Sequence, residues 1–354
     1  MQECQTQLCL SVYIITFVTG FPTNILAFYT FTLKVRRKPT PIDILLLNLT
    51  VSDLLFLIFL PFKMQEVANH MTWNMPYFLC PLSGFIFYMT IYNSTLFLTA
   101  VSVERYLGVA FPIRHSLGRR PVYAVLASIF IWVICFMHLS IVFIMPYYNP
   151  VGDKHVSTGD GGVGDNGTRL ELAVTTTTTG HPRPHVCYEN FTHAQLEILL
   201  PYRLELCIVL FCIPLLICSF CYVNFIRILL RLPNISRRRR LRAIGLALGT
   251  LVVFALCFGP YNVSHVVGMV TDKSPRWRDL ALLLSTFNAC LDPFIFYVSS
   301  PEVRSTLGDM LNGICSRVVR VWDCARLHQC CVWRMDASQT KKATFPKPDE
   351  INAV

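Results

Sequence analysis

Charge is what this sequence has least of. Only 15% of its 354 residues are Asp, Glu, Lys or Arg, against roughly 25% in an ordinary soluble domain. Hydrophobic residues make up 53%, and the mean hydropathy is +0.49. That balance points to an integral membrane protein. A net charge of +10 would suggest nucleic acid in a soluble chain, but membrane proteins collect positive charge in their cytoplasmic loops, so no nucleic acid is expected as a partner. A cleavable signal peptide is also missing: the first apolar run is too long for a signal and long enough to span a bilayer. No nucleophile–base set and no metal-ligand motif stands out, so neither an enzyme nor a cofactor or metal is expected. The fifteen cysteines lie mostly inside apolar runs, such as Cys207, Cys212, Cys218 and Cys221. There a free cysteine packs as a small hydrophobe, and "CSFC" (218–221) is a CxxC by spelling only.

What is present is a set of long apolar runs. A helix needs about 20 apolar residues to cross the hydrocarbon core. Seven runs qualify, at 8–33, 42–68, 77–109, 121–146, 197–231, 238–270 and 277–299. The expected fold is an all-α membrane protein, a seven-helix bundle over 8–299. Basic residues follow the first run (Lys34, Arg36, Arg37, Lys38), the third (Arg114, Arg119, Arg120) and the fifth (Arg237 to Arg240, Arg242), and none precedes the first. The positive-inside rule then places residues 1–7 outside the cell and the tail, 316–354, in the cytoplasm, as in a multi-pass plasma-membrane protein.

Residues 147–196 form a long second outer loop, with "GDGGVGDNG" and "TTTTT" pieces that cannot build a core. Its G-x-G-x-x-G (Gly159, Gly161, Gly164) lacks the flanking strand and helix of a dinucleotide site. Asn166 and Asn190 are glycosylation acceptors in that loop; the sequons at Asn48, Asn93 and Asn262 fall inside spans. After the last run, Val303, Leu307, Met310, Leu311 and Ile314 recur at helical spacing. They predict an amphipathic helix over 300–315 lying on the inner leaflet. Cys315 at its end is a palmitoylation candidate; Cys324, Cys330 and Cys331 are either acylated or free thiols.

Polar residues inside spans are functional candidates. Asn24, Asp53, Ser94, Asn288 and Asp292 lie mid-span or deeper, and a bundle would converge them. The two carboxylates would favour a bound cation such as sodium, or a shared proton; the plainer reading is hydrogen bonding between helices. At the inner end of the third run stands "VSVERYLGVAFP", with Glu104, Arg105 and Tyr106 where the apolar run stops. Together these features resemble a class A (rhodopsin-like) G-protein-coupled receptor over about residues 8–315. "ERY" is similar to that class's D/E-R-Y signature, "NLTVSD" to its second-helix motif, Trp132 to its fourth-helix tryptophan, and Pro214 and Tyr222 to its fifth-helix pair. "CFGP" resembles C-W-x-P, with Phe258 for Trp and Pro260 at the kink. "LDPFIFY" resembles N-P-x-x-Y, but Asp292 replaces Asn and Phe296 stands at the Tyr position, with Tyr297 one later. The resemblance implies a disulfide between Cys80 and Cys187. It also implies coupling to heterotrimeric G proteins through Glu104, Arg105, Tyr106, Tyr222, Pro260 and Asp292, and arrestin as a further partner. Cys80 precedes Arg105 by 25 residues, about 37 Å of helix, so the two lie at opposite faces.

The class does not name a ligand. Phe87 occupies the place where amine receptors carry an aspartate, and Thr286 the place where opsins carry the retinal lysine. Arg203 lies 11 residues before Pro214, His265 five after Pro260, and Arg278 14 before Asp292. At about 1.5 Å per residue all three fall in the outer third of the bundle, with His138, Tyr88 and Tyr261 at similar depth. Guanidinium forks bind carboxylate or phosphate bidentately, so this is a candidate small-anion site. The plainer alternative pairs Arg278 with Asp279 at the interface, and Arg203 with Glu197 or Glu205. Glu189, beside Cys187, is a candidate to hold an arginine until ligand arrives.

"LLPYRLELC", "CFGPYNVSHVVG", "SPRWR" and "IYNSTLFLTAVSVERYLGVAFP" resemble the free fatty acid receptor family, most closely its short-chain members. That resemblance implies that Arg203, Arg278 and His265 bind a ligand carboxylate, with Tyr88, His138 and Tyr261 supporting. It implies acetate, propionate or butyrate as ligand and Gi/o and Gq-type proteins as transducers. The alternatives are a receptor for another small carboxylate or a longer fatty acid, or a carboxylate transporter. A transporter usually shows repeat symmetry, which seven unequal spans lack.

Overall fold

The computed structural model describes residues 2–70, 72–112, 121–147, 187, 193–232 and 236–299, with 304–306, 308–309, 312–313 and 316 beyond them. All regular structure among the described residues is helical. The elements are α1 (Gln2–Arg37), α2 (Pro41–Ala68), α3 (Leu79–Ala110), α4 (Pro121–Ile144), α5 (His193–Cys207), α6 (Ile213–Arg231), α7 (Arg237–Val253), α8 (Gly259–Thr271), α9 (Arg278–Thr286) and α10 (Asn288–Ser299). A short 3₁₀ turn, Met145–Tyr147, follows α4.

Six of the seven apolar runs form helices long and apolar enough to span. The seventh is the pair α9–α10, parted at Phe287. Two spans are composite in another way. A π turn, Ile208–Cys212, joins α5 to α6, and another, Phe254–Phe258, joins α7 to α8. Each precedes a proline at the start of the next helix, Pro214 and Pro260. Proline lacks the N–H that an α-helix needs and crowds the preceding turn. A local π register accommodates that defect without ending the span.

The third span is the axis of the bundle. In its most apolar stretch 83% of residues are buried, against 28% in the fourth span. The fourth span accordingly shows Val122, Leu126, Phe130 and Val133 outward, as a lipid-facing helix should. Side chains stitch the spans together. Trp132 Nε1 donates to Asn48 Oδ1 at 3.0 Å, and Asn24 Nδ2 donates to the Ala289 carbonyl at 2.8 Å. The α1–α2 joint is closed by Lys34 Nζ on Asp43 Oδ1 at 2.6 Å, with Thr40 Oγ1 on Asp43 Oδ2. Cys80, near the start of α3, is bonded to Cys187 through a 2.05 Å S–S bond. This marks one end of the bundle; Glu104 and Arg105 lie near the other end of α3.

Residues 304–306, 308–309, 312–313 and 316 are helical and belong to a separate unit, 301–354. Cys315, the two loop sequons Asn166 and Asn190, Glu189, and the side chains of Phe296 and Tyr297 lie outside the described residues.

Close packing of α1 on the seventh span yields a test. A Cβ at Gly20 would stand 3.3 Å from the Ala289 carbonyl and 3.3 Å from Leu57. Gly20→Val should lower stability by about 1–3 kcal/mol through overpacking, read as a drop in the melting temperature of the detergent-solubilised protein.

Candidate ligand-binding site

At the disulfide end of the bundle a narrow cavity opens between the third, fourth, fifth, sixth and seventh spans. Arg203, Tyr261, His265 and Arg278 line its polar side, and Leu139, Val142, Leu199 and Leu206 its apolar side. Both guanidiniums are turned inward: Arg203 is 5% and Arg278 9% exposed. Helical geometry explains the convergence. Arg203 lies on α5 above the π turn, Tyr261 and His265 are one turn apart on α8, and Arg278 opens α9.

The contacts are specific. Arg203 Nη1 donates to Ser274 Oγ at 2.9 Å. Arg278 Nη2 donates to Tyr261 Oη at 3.1 Å, and its guanidinium carbon lies 5.4 Å from the Tyr261 ring centre and 5.9 Å from that of Tyr88. Those two rings stack at 6.0 Å. Such cation–π contacts add roughly 0.5–2 kcal/mol each. His265 packs edge-on to Tyr261 at 4.6 Å, and its Nε2 meets Tyr92 Oη at 3.2 Å. Its Nδ1 is buried with no hydrogen-bond partner among the described residues. Both guanidiniums lie within electrostatic reach of His265 and Tyr261.

The structure therefore brings together Arg203, Arg278, His265, Tyr261 and Tyr88. His138 is placed differently. Its Nδ1 lies 3.3 Å from Glu205 Oε1 at the half-exposed seam of the fourth and fifth spans, and its carbonyl accepts a hydrogen bond from Tyr202 Oη at 2.5 Å. Tyr202 is the residue of that pair that lines the cavity. Glu205, one candidate partner for Arg203, thus pairs across the seam with His138. Asp279, the candidate partner of Arg278, lies within electrostatic reach of Cys9 and Tyr13 of α1. Sequence reasoning missed Tyr92, Tyr202 and Ser274. Tyr92 had a signal: it lies one helical turn below Tyr88 on the same face.

A second polar group sits midway along the bundle. Asp53, Ser94, Asn288 and Thr286 share a cavity with Phe87 and Phe258, and the Asp53 and Asp292 carboxyls face each other. Oδ1 of Asn288, Oδ1 of Asn24 and Oγ of Ser94 have no hydrogen-bond partner among the described residues, and Asn288 and Asp53 both face Asp292. Facing carboxyls are both acceptors unless a proton or a cation lies between them. Toward the other end, Arg105 faces Tyr222 and Cys218, Tyr222 Oη donates to Thr250 Oγ1 at 3.3 Å, and Tyr106 packs edge-on to Phe220 at 6.0 Å.

A single-chain helix bundle with a disulfide at one end, an E-R-Y arginine toward the other and a buried polar cavity between defines a membrane receptor. Residues 23–158 and 169–296 match the family 7 transmembrane receptor (rhodopsin family), and the chain belongs to it. Within that family it is of the free fatty acid receptor type. It is 46% identical to Free fatty acid receptor 3 of Mus musculus over 304 residues, covering 86% of this chain and 86% of the relative. It is 45% identical to Free fatty acid receptor 3 of Homo sapiens over 305 residues, 86% of this chain and 80% of the relative. Free fatty acid receptor 2 of Homo sapiens is 45% identical over 309 residues, 87% and 86%. These relatives are receptors and not enzymes.

The facing carboxyls give a prediction independent of ligand. Asp292→Asn gives Asp53 a donor that needs no shared proton or cation, and should raise stability by about 1 kcal/mol, measured as melting temperature at neutral pH.

Proposed function

We propose that this receptor responds to short-chain carboxylates, acetate, propionate and butyrate, and that Arg203, Arg278 and His265 hold the carboxylate. The observation that carries the reading is the pair of buried guanidiniums on the fifth and seventh spans, both lining one cavity with His265 and Tyr261. A carboxylate can take a hydrogen bond from each arginine and a third from the buried Nδ1 of His265. Tyr261 holds Arg278 in place, and the stacked Tyr88 supports it. His138 acts through Tyr202, whose hydroxyl it anchors. The apolar side of the cavity, Leu139, Val142, Leu199 and Leu206, takes the alkyl tail, and its narrowness favours two to four carbons. The likeness to free fatty acid receptors supports a fatty acid as the class of ligand.

In this reading the Cys80 end faces outward and the cytoplasm holds the arginines after the fifth run, as the positive-inside rule places them. Ligand bridges the fifth, sixth and seventh spans and favours the receptor state in which they are drawn together, since a ligand shifts an equilibrium only by its differential affinity. The π turn and Pro260 form the hinge of the sixth span, and the cluster around Asp53, with sodium as its candidate cation, relays the change. Arg105, Tyr106 and Tyr222 then form part of the surface that takes a Gi/o or Gq-type G protein, and arrestin after it. Acetate has four heavy atoms, and efficiency tops out near 1.5 kcal/mol per atom, so half-maximal concentrations in the micromolar to millimolar range are expected.

The test is nucleotide exchange on added G protein against straight-chain acids of two to twelve carbons. Arg203→Ala and Arg278→Ala should each raise the half-maximal concentration at least tenfold, the loss of about 1.5–3 kcal/mol expected for a charge-assisted hydrogen bond. Tyr261→Phe should give a smaller rise. Responses that survive both arginine substitutions at equal surface expression would sink the reading, and a response confined to long chains would move the ligand to longer acids. Uptake of labelled acetate without nucleotide exchange would favour a transporter.

A further inference from the structure

The π turn of the fifth span carries a feature that the receptor reading does not use. It brings two free thiols, Cys207 and Cys212, to a sulfur–sulfur distance of 3.9 Å. In a regular α-helix residues five apart point in different directions, because the repeat is 3.6. The i→i+5 register of the turn is what aligns them. Cys207 is 3% exposed and faces Tyr92, which bonds His265. Cys212 is half-buried. Its chain neighbour Ile213, at 47%, and Ile208, at 48%, point outward, so Cys212 borders the lipid side.

We propose that Cys207 and Cys212 form a dithiol site that a hydroperoxide, in particular a peroxidised lipid, oxidises to an intrahelical disulfide. The Cys212 sulfur attacks the terminal peroxide oxygen, the O–O bond breaks, and an alcohol leaves with the thiol proton, giving a sulfenic acid. The Cys207 sulfur then attacks that sulfur, and its proton leaves with the hydroxyl as water. In sum, two thiols and one hydroperoxide give one disulfide, one alcohol and one water. The product is neutral. A structural metal would need further ligands, and among the described residues no group of three or more His, Cys, Asp or Glu is placed to hold one. Closing from 3.9 Å to about 2.0 Å tightens the turn directly below Arg203, which lies four residues earlier on the same helix face. Tyr92 and Arg203 are the first groups to feel it.

The experiment uses the full chain in its membranes and needs no carboxylate ligand, so it stands apart from the ligand reading. Membranes are treated with tert-butyl hydroperoxide, remaining thiols are alkylated under denaturing conditions, and the fragment holding both residues is weighed. The expected result is loss of both alkylation sites and a fragment two hydrogens lighter, with Cys212→Ser abolishing the effect and Cys218→Ser retaining it. In parallel, a trivalent arsenical should bridge the untreated pair in wild type and in neither Cys207→Ser nor Cys212→Ser. Both thiols remaining alkylatable after peroxide, or a mass loss that persists in Cys212→Ser, overturns the proposal. The wild-type fragment decides the matter even if a variant fails to fold.

Discussion

Two buried guanidiniums set the terms for this end of the bundle. A charge in a low-dielectric wall costs several kcal/mol unless other groups surround it. The residues around Arg203 and Arg278 are the answer to that cost. Ser274 takes a donor from one, and Tyr261 takes a donor from the other. The Tyr261 ring lies near the second guanidinium, and Tyr88 stacks on Tyr261. Each of these rings is buried and fixed by the arginine as much as it fixes it. Four spans are thereby drawn to one depth by electrostatics, where lipid-facing packing alone would leave them without a common register.

The lower half of the bundle depends on a different balance. Asn24, Asp53, Ser94, Asn288 and Asp292 are at most 5% exposed, yet several of their atoms lack protein partners. Polar groups of this kind hold helices together only loosely, since each can exchange one neighbour for another. The upper site is a set of directed donors and the lower cluster a set of acceptors. The two cavities share the sixth span: its Phe258 lines the lower one, and Tyr261, three residues on, lines the upper.

Much of this was legible in the chain. Seven apolar runs fixed the number of spans, because length and hydropathy are sufficient for that. Arg203, His265 and Arg278 stood out because charge or imidazole interrupts an apolar run. The break at Phe287 left no trace, since the residues on either side of it belong to one continuous run. For His138 a count of residues gives depth, while the side it faces depends on how α4 and α5 lean together. Tyr202 and Ser274 were invisible for the same reason. The two π turns were also beyond reach, because "IVLFC" and "FALCF" have no composition that separates them from ordinary apolar helix.

Those turns give the molecule a particular grammar. Each inserts one residue beyond the α register, which is about 100° of rotation for everything on its far side. Arg203 and His265 stand beyond such insertions, one on the fifth span and one on the sixth. Counted without them, Arg203 and His265 would each point about a quarter-turn away from the cavity they line. The chemistry of the site is therefore written partly in phase: a single residue gained or lost between Leu206 and Pro214, or between Val253 and Pro260, would change what the receptor presents to its ligand while leaving every named side chain in the sequence.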